Sequence, residues 1–205
     1  VAAATKSVKQ LRDQEITMSA LQASSLHTSA AGMTTADPRY ESTFEDQHRH
    51  NILSDLASET GIVDSSLLEE LLRFEIKPDL IRALDVSPLF FMAWADGDMD
   101  VCEDQFIHDY LRRLEAPISG ASYRLVCHWF NVPPAAEYLS AWQVYMRGKL
   151  PTLAPAERSA MHHALVRLVT NLAQCSGGFL GFGSRISSAE HAMLRKLETV
   201  FLETH

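Results

Sequence analysis

The sequence predicts an all-α fold, an antiparallel bundle of about eight or nine helices. Three observations point there. Apolar residues recur at helical spacing through most of the chain. No segment alternates apolar and polar residues with period two for long enough to make a strand. Proline, glycine and N-cap signals fall where one periodic stretch gives way to the next.

Taken in order, residues 1–40 read as an N-terminal arm or linker, rich in Ala, Ser and Thr. Leu11, Ile16, Met18, Leu21 and Leu26 make only a thin stripe there, enough for one docked helix. Residues 41–205 read as the helical domain. Phe44, Ile52, Leu53 and Leu56 fit a helix closing at Gly61. Ser66 and Glu69 have capping-box spacing for the next helix, whose apolar face is Leu67, Leu68, Leu71 and Leu72. A short helix is expected from Asp79 to Leu84. Ser87-Pro88 then reads as an N-cap with Pro at the first helical position. The helix it opens, Leu89 to Trp94, is apolar nearly all round, which places it at the centre of a bundle.

Beyond an acidic corner at 96–103, Val101, Phe106, Ile107, Tyr110, Leu111 and Leu114 form a stripe that stops at Pro117. Leu125, Val126, Trp129 and Phe130 mark a helix ended by Pro133-Pro134. Tyr138, Trp142, Tyr145 and Met146 mark one expected to end at Gly148. Pro155 opens a long helix with Met161, Leu165, Leu168, Val169 and Leu172 inward. A glycine-rich loop precedes a last helix built on Met193, Leu194, Leu197, Val200 and Phe201.

Composition narrows the function. The formal charge is -8, and it is uneven: residues 1–40 are near +1 and residues 41–205 carry about -9. Duplex binding needs clustered Lys and Arg to displace counterions, so no nucleic-acid partner is expected. The three cysteines (Cys102, Cys127 and Cys175) are far apart and lack C-x-x-C spacing. Neither a disulfide scaffold nor a zinc ribbon fits them. No apolar run is long enough for a membrane span. The first residues lack the basic-then-apolar pattern of a signal peptide, and cytoplasm is the expected compartment.

Two corners of the chain look alike. In the first, a helix ends in Ala95-Asp96-Gly97, Met99 follows, and Asp100-x-x-Glu103 starts a helix with Phe106, Ile107 and Tyr110. In the second, a helix ends in Cys175-Ser176-Gly177, Ile186 follows, and Ser187-x-x-Glu190 starts one with Met193, Leu194 and Leu197. Each has a cap acceptor, a Glu at N3 and an apolar residue just before the cap. A duplicated helix–loop–helix unit accounts for the pairing.

On these residues the chain resembles the TerB-like (tellurite resistance TerB) family of helical domains. Ala95-Asp96-Gly97-Asp98-Met99-Asp100-x-x-Glu103 is similar to that family's acidic signature. Pro88 to Trp94 before it and Ser176 to Gly183 after the second helix end are similar to bacterial members. The resemblance covers roughly residues 41–203. It implies a bundle with an internal pseudo-repeat and suspected divalent-metal binding at the acidic loop. It also implies an association with stress response; tellurite resistance itself does not transfer on fold alone.

Candidate chemistry gathers at Asp96, Asp98, Asp100 and Glu103. Carboxylates at every second position start like an EF-hand. Val101 then stands where Gly is needed, and Ile107 where the bidentate Glu belongs. A looser Ca²⁺ or Mg²⁺ site on these four residues is one reading. The other is that Asp100 and Glu103 cap the helix while Asp96 and Asp98 are solvated turn residues. His108, His162-His163 and Cys127-His128 lack chelating spacing, and no nucleophile–base arrangement is visible, so no enzyme is expected. The alternative to a cation module is a protein-interaction or self-association module. It would use the N-terminal arm or the apolar Phe179–Phe182 loop, with no ion.

Overall fold

The computed structural model describes residues 38–176 and 186–202. Among them it holds eight α-helices, two 3₁₀ turns and no strand. The helices are α1 Pro38–Thr60, α2 Ser65–Arg73, α3 Ile81–Ala93, α4 Val101–Arg112, α5 Gly120–Trp129, α6 Ala136–Lys149, α7 Pro155–Ser176 and α8 Ser188–Leu202. Turns at Pro78–Leu80 and Leu150–Thr152 lead into α3 and out of α6. The chain divides into two units, Val1–Glu45 and Asp46–His205; the core and every site below belong to the second.

Helix α3 is the hub. Eleven of its thirteen residues are buried, all but Arg82 and Asp85. It packs against α5, α6, α7 and α8 and touches α4. Two tryptophans, Trp129 and Trp142, are buried beside it, and the third, Trp94 at its C-terminal end, is half-buried. The Trp94 indole N–H donates to the Trp129 carbonyl at 2.8 Å, tying the end of α3 to the end of α5.

Four local expectations are corrected. Val101, expected on the inward stripe of α4, is the first residue of that helix and stands exposed. Helix α3 does not start at Pro88: it begins at Ile81 and runs straight through the proline. Proline lacks the N–H that Leu84 would otherwise receive, and Ser87 Oγ donates to that Leu84 carbonyl at 2.9 Å instead. The same Ser-Pro pair that opens a helix elsewhere here repairs the interior of one. The cap of α2 is Asp64, whose carboxylate accepts from Ser66 N–H at 2.9 Å, so the Ser66–Glu69 box does not form. Gly148 does not end α6 but lies inside it. A Cβ there would sit 2.7–3.0 Å from three carbons of buried Ile62, so the glycine permits a close approach. Gly61, by contrast, does follow the end of α1, at φ +74° with its N–H on the Ala57 carbonyl.

The contacts around the two corners have a symmetric pattern. Exchange α3 with α7 and α4 with α8. The packing of α4 on α7 then maps onto that of α8 on α3, and the α3–α4 contact maps onto α7–α8; all four are present.

Candidate functional site

The acidic corner forms as a capping box. Asp100 Oδ1 accepts from the N–H groups of Cys102 (2.7 Å) and Glu103 (2.9 Å), and Glu103 Oε2 accepts from Asp100 N–H at 3.0 Å. These bonds occupy helix donors that have no partner within the helix. Asp96 Oδ1 closes a short turn by accepting from Asp98 N–H at 3.4 Å, and both side chains are exposed. Gly97 makes the turn at φ +101°, a conformation other residues resist. So the structure brings Asp100 and Glu103 into direct reciprocal contact and leaves Asp96 and Asp98 at the solvent edge. Among the described residues no group of three or more His, Cys, Asp or Glu side chains is arranged to hold a metal ion.

The second corner has the same construction. Glu190 N–H donates to Ser187 Oγ at 3.1 Å, and Ser187 N–H donates back to Glu190 Oε2. Both glutamates are buried, Glu103 at 4% and Glu190 at 6% exposure, which is unusual for this residue. The two corners also lie close enough to interact. Burial pushes the Glu103 carboxyl from its ordinary 4.5 up to about 7; the Asp100 N–H bond opposes this, and the negative charges of Asp100, Asp96 and Glu190 add to it.

A second feature carries more binding capacity. A cavity of about 640 Å³ opens between α4, the 113–119 link and α5. Leu111, Leu114, Pro117, Ile118, Val126 and Phe130 make its apolar walls. His108, Arg112, Tyr123, Cys127 and Asn131 supply its polar groups. Its volume falls within the ordinary range for small-molecule sites, roughly 300–1,000 Å³. Two further cavities among the described residues are smaller, at about 420 and 140 Å³.

The walls are held from below. Ser122, buried in α5, donates from Oγ to the Asp79 carbonyl at 2.6 Å and accepts from Ala83 N–H at 3.1 Å. It thereby pins α5 to the start of α3. Arg82 donates to the Ala116 carbonyl at 3.1 Å and so anchors the 113–119 link. The Phe130 ring stands edge-on to Phe90 of the core, with ring centres 5.0 Å apart. On its other contact it meets the His108 ring at 4.1 Å.

The polar groups are oriented. His108 Nδ1 sits 3.0 Å from the Asp104 carbonyl and 3.3 Å from its carboxylate. Arg112 pairs with Asp109 and donates through Nε to the His108 carbonyl, which leaves part of its five-donor fork for other acceptors. Cys127 acts on the Tyr123 phenol and helps to hold it above its ordinary range. The sequence reading set His108 and Cys127 apart as ordinary residues; the structure places both on one cavity. No sequence signal marks this site, because it joins two helices and a link through side chains that are individually unremarkable in spacing.

The N-terminal arm and the Phe179–Phe182 loop, named above as interaction surfaces, lie outside the described residues. No helix of the described residues is long and apolar enough to cross a membrane. Comparison with known proteins returns no match: no family model, no curated protein and no solved structure aligns with the chain.

Proposed function

We propose that this chain is a non-enzymatic helical binding module whose ligand is a small amphipathic carboxylate held in the α4–α5 cavity. The single observation that carries the reading is that cavity: about 640 Å³, with an apolar floor and cationic Arg112 at its polar side. The apolar body of such a ligand would replace water against Leu111, Ile118 and Phe130, at roughly 25 cal/mol for each Å² removed from solvent. Its carboxylate would take the donors Arg112 has left.

Calorimetric titration with decanoate tests this. Wild type binds. Ile118→Glu, which puts a carboxylate on the wall, weakens binding at least tenfold. Arg112→Gln weakens decanoate but leaves decanol unaffected. Equal binding by wild type and Ile118→Glu would refute the assignment.

The capping pair and the exchangeable helix contacts support descent from a duplicated unit, and with it the proposed kinship to TerB-like, stress-associated domains. A second reading keeps a Ca²⁺ or Mg²⁺ ion at Asp96, Asp98, Asp100 and Glu103. What favours it is the gathering of carboxylates there: beside the effect of burial, the charges of Asp100, Asp96 and Glu190 weigh on Glu103, and a cation would relieve them. Under this reading Ca²⁺ raises the melting temperature of wild type and not of Asp96→Asn/Asp98→Asn; identical responses end it.

A further inference from the structure

Two of the three cysteines, more than seventy residues apart in sequence, lie on neighbouring helices beside the acidic corner. Cys102 is the second residue of α4 and is exposed; Cys175 is the penultimate residue of α7 and is half-buried. Helix α4 packs along α7, and the Cys102 sulfur is among the groups that act on the Cys175 thiol. Cys127, also exposed, sits instead on α5 with Tyr123 as its partner.

We propose that Cys102 and Cys175 form a thiol-oxidation site, converted by a peroxide into an intramolecular disulfide that staples the start of α4 to the end of α7. The chemistry divides by exposure. Cys102, reachable from solvent at a helix N-terminus, attacks hydrogen peroxide first. An S–O bond forms, the O–O bond breaks, and the departing hydroxide is protonated to water; Cys102 becomes a sulfenic acid. Cys175 sulfur then attacks Cys102 Sγ. The S–S bond forms, the S–O bond breaks, and hydroxide leaves with the Cys175 proton as a second water. In sum, two thiols and one peroxide give one disulfide and two waters, with two electrons passing from sulfur to oxygen.

Exposure sets this order: Cys102 is open to solvent and so to peroxide, whereas half-buried Cys175 is less accessible. Attack within the molecule is favoured over a second oxidation because the partner sulfur is already in place.

The test uses the Cys127→Ser variant of this chain, which leaves Cys102 and Cys175 as its two thiols. The protein is treated with equimolar hydrogen peroxide, alkylated, and digested without reduction. The expected product is a peptide joining Cys102 to Cys175 in most chains, reversed by dithiothreitol and absent from Cys102→Ser and Cys175→Ser. Recovery of Cys102 as sulfinic acid with Cys175 alkylated would overturn the proposal. So would a disulfide between Cys102 residues of two chains. Wild type treated in the same way guards against a folding defect in the variant; a Cys127 disulfide as its main product would also overturn the proposal.

Discussion

Replacing Glu103 by Gln should stabilise the protein above neutral pH. The carboxyl is held near 7 in the fold against an ordinary 4.5. At about 1.36 kcal/mol for each tenfold change in proton affinity, that displacement has an upper bound near 3 kcal/mol. Solvent around the neighbouring exposed Asp96 screens part of the charge, and about 1.5 kcal/mol is the working figure. The sign follows from proton binding. Between pH 4.5 and 7 the folded state holds a proton on Glu103 that the unfolded chain has released, so stability falls as pH rises through this window. Gln keeps the carbonyl that accepts Asp100 N–H but carries no charge. Glu103→Gln should therefore melt about 3–6 °C higher than wild type at pH 8, with the gap closing toward pH 4.5. Glu103→Ala loses the acceptor for Asp100 N–H and should be less stable than Gln at every pH, by about 1 kcal/mol. Thermal melts followed by circular dichroism across that pH range decide it. A Gln variant less stable than wild type at pH 8, or a gap independent of pH, would refute the reasoning.

Other substitutions test the frame beneath the cavity. Ser122→Ala strips Ala83 N–H and the Asp79 carbonyl of a buried partner and should cost about 2 kcal/mol in urea unfolding. It should also weaken decanoate binding by loosening α5. Gly148→Ala gains helix propensity but drives a methyl into Ile62; the clash should prevail, for a net loss of about 1 kcal/mol in the same assay. Tyr145→Phe removes the hydroxyl that donates to Asp85 and accepts from Lys149, and should destabilise by about 1–3 kcal/mol. A Tyr145 variant as stable as wild type would show that water replaces the hydroxyl.

What the sequence made legible was local. Both capping boxes could be read because acceptor, spacing and glutamate lie within four residues of each other. The apolar run of α3 announced its central place for the same reason. Pro88 misled because a proline at a helix start and one inside a helix look identical until Ser87 is seen bonding to Leu84. Gly148 misled because a glycine that ends a helix and a glycine that admits Ile62 differ only in what stands across from them. The cavity could not be read at all. His108, Ile118 and Phe130 each have an adequate role on their own element, and their convergence depends on Ser122 and Arg82 fixing α5 and the link against α3. The nearness of Glu103 to Glu190 was visible only indirectly, through the resemblance of the two corners.

The assignment of the α4–α5 cavity as the binding site is the claim on which the functional account stands. Backbone amide shifts of isotope-labelled protein, recorded while decanoate is added, test it most directly. The account predicts saturable shifts confined to α4, the 113–119 link and α5, with His108, Ile118 and Val126 among the largest. Shifts centred on 96–103 instead, or none at millimolar decanoate, would contradict it.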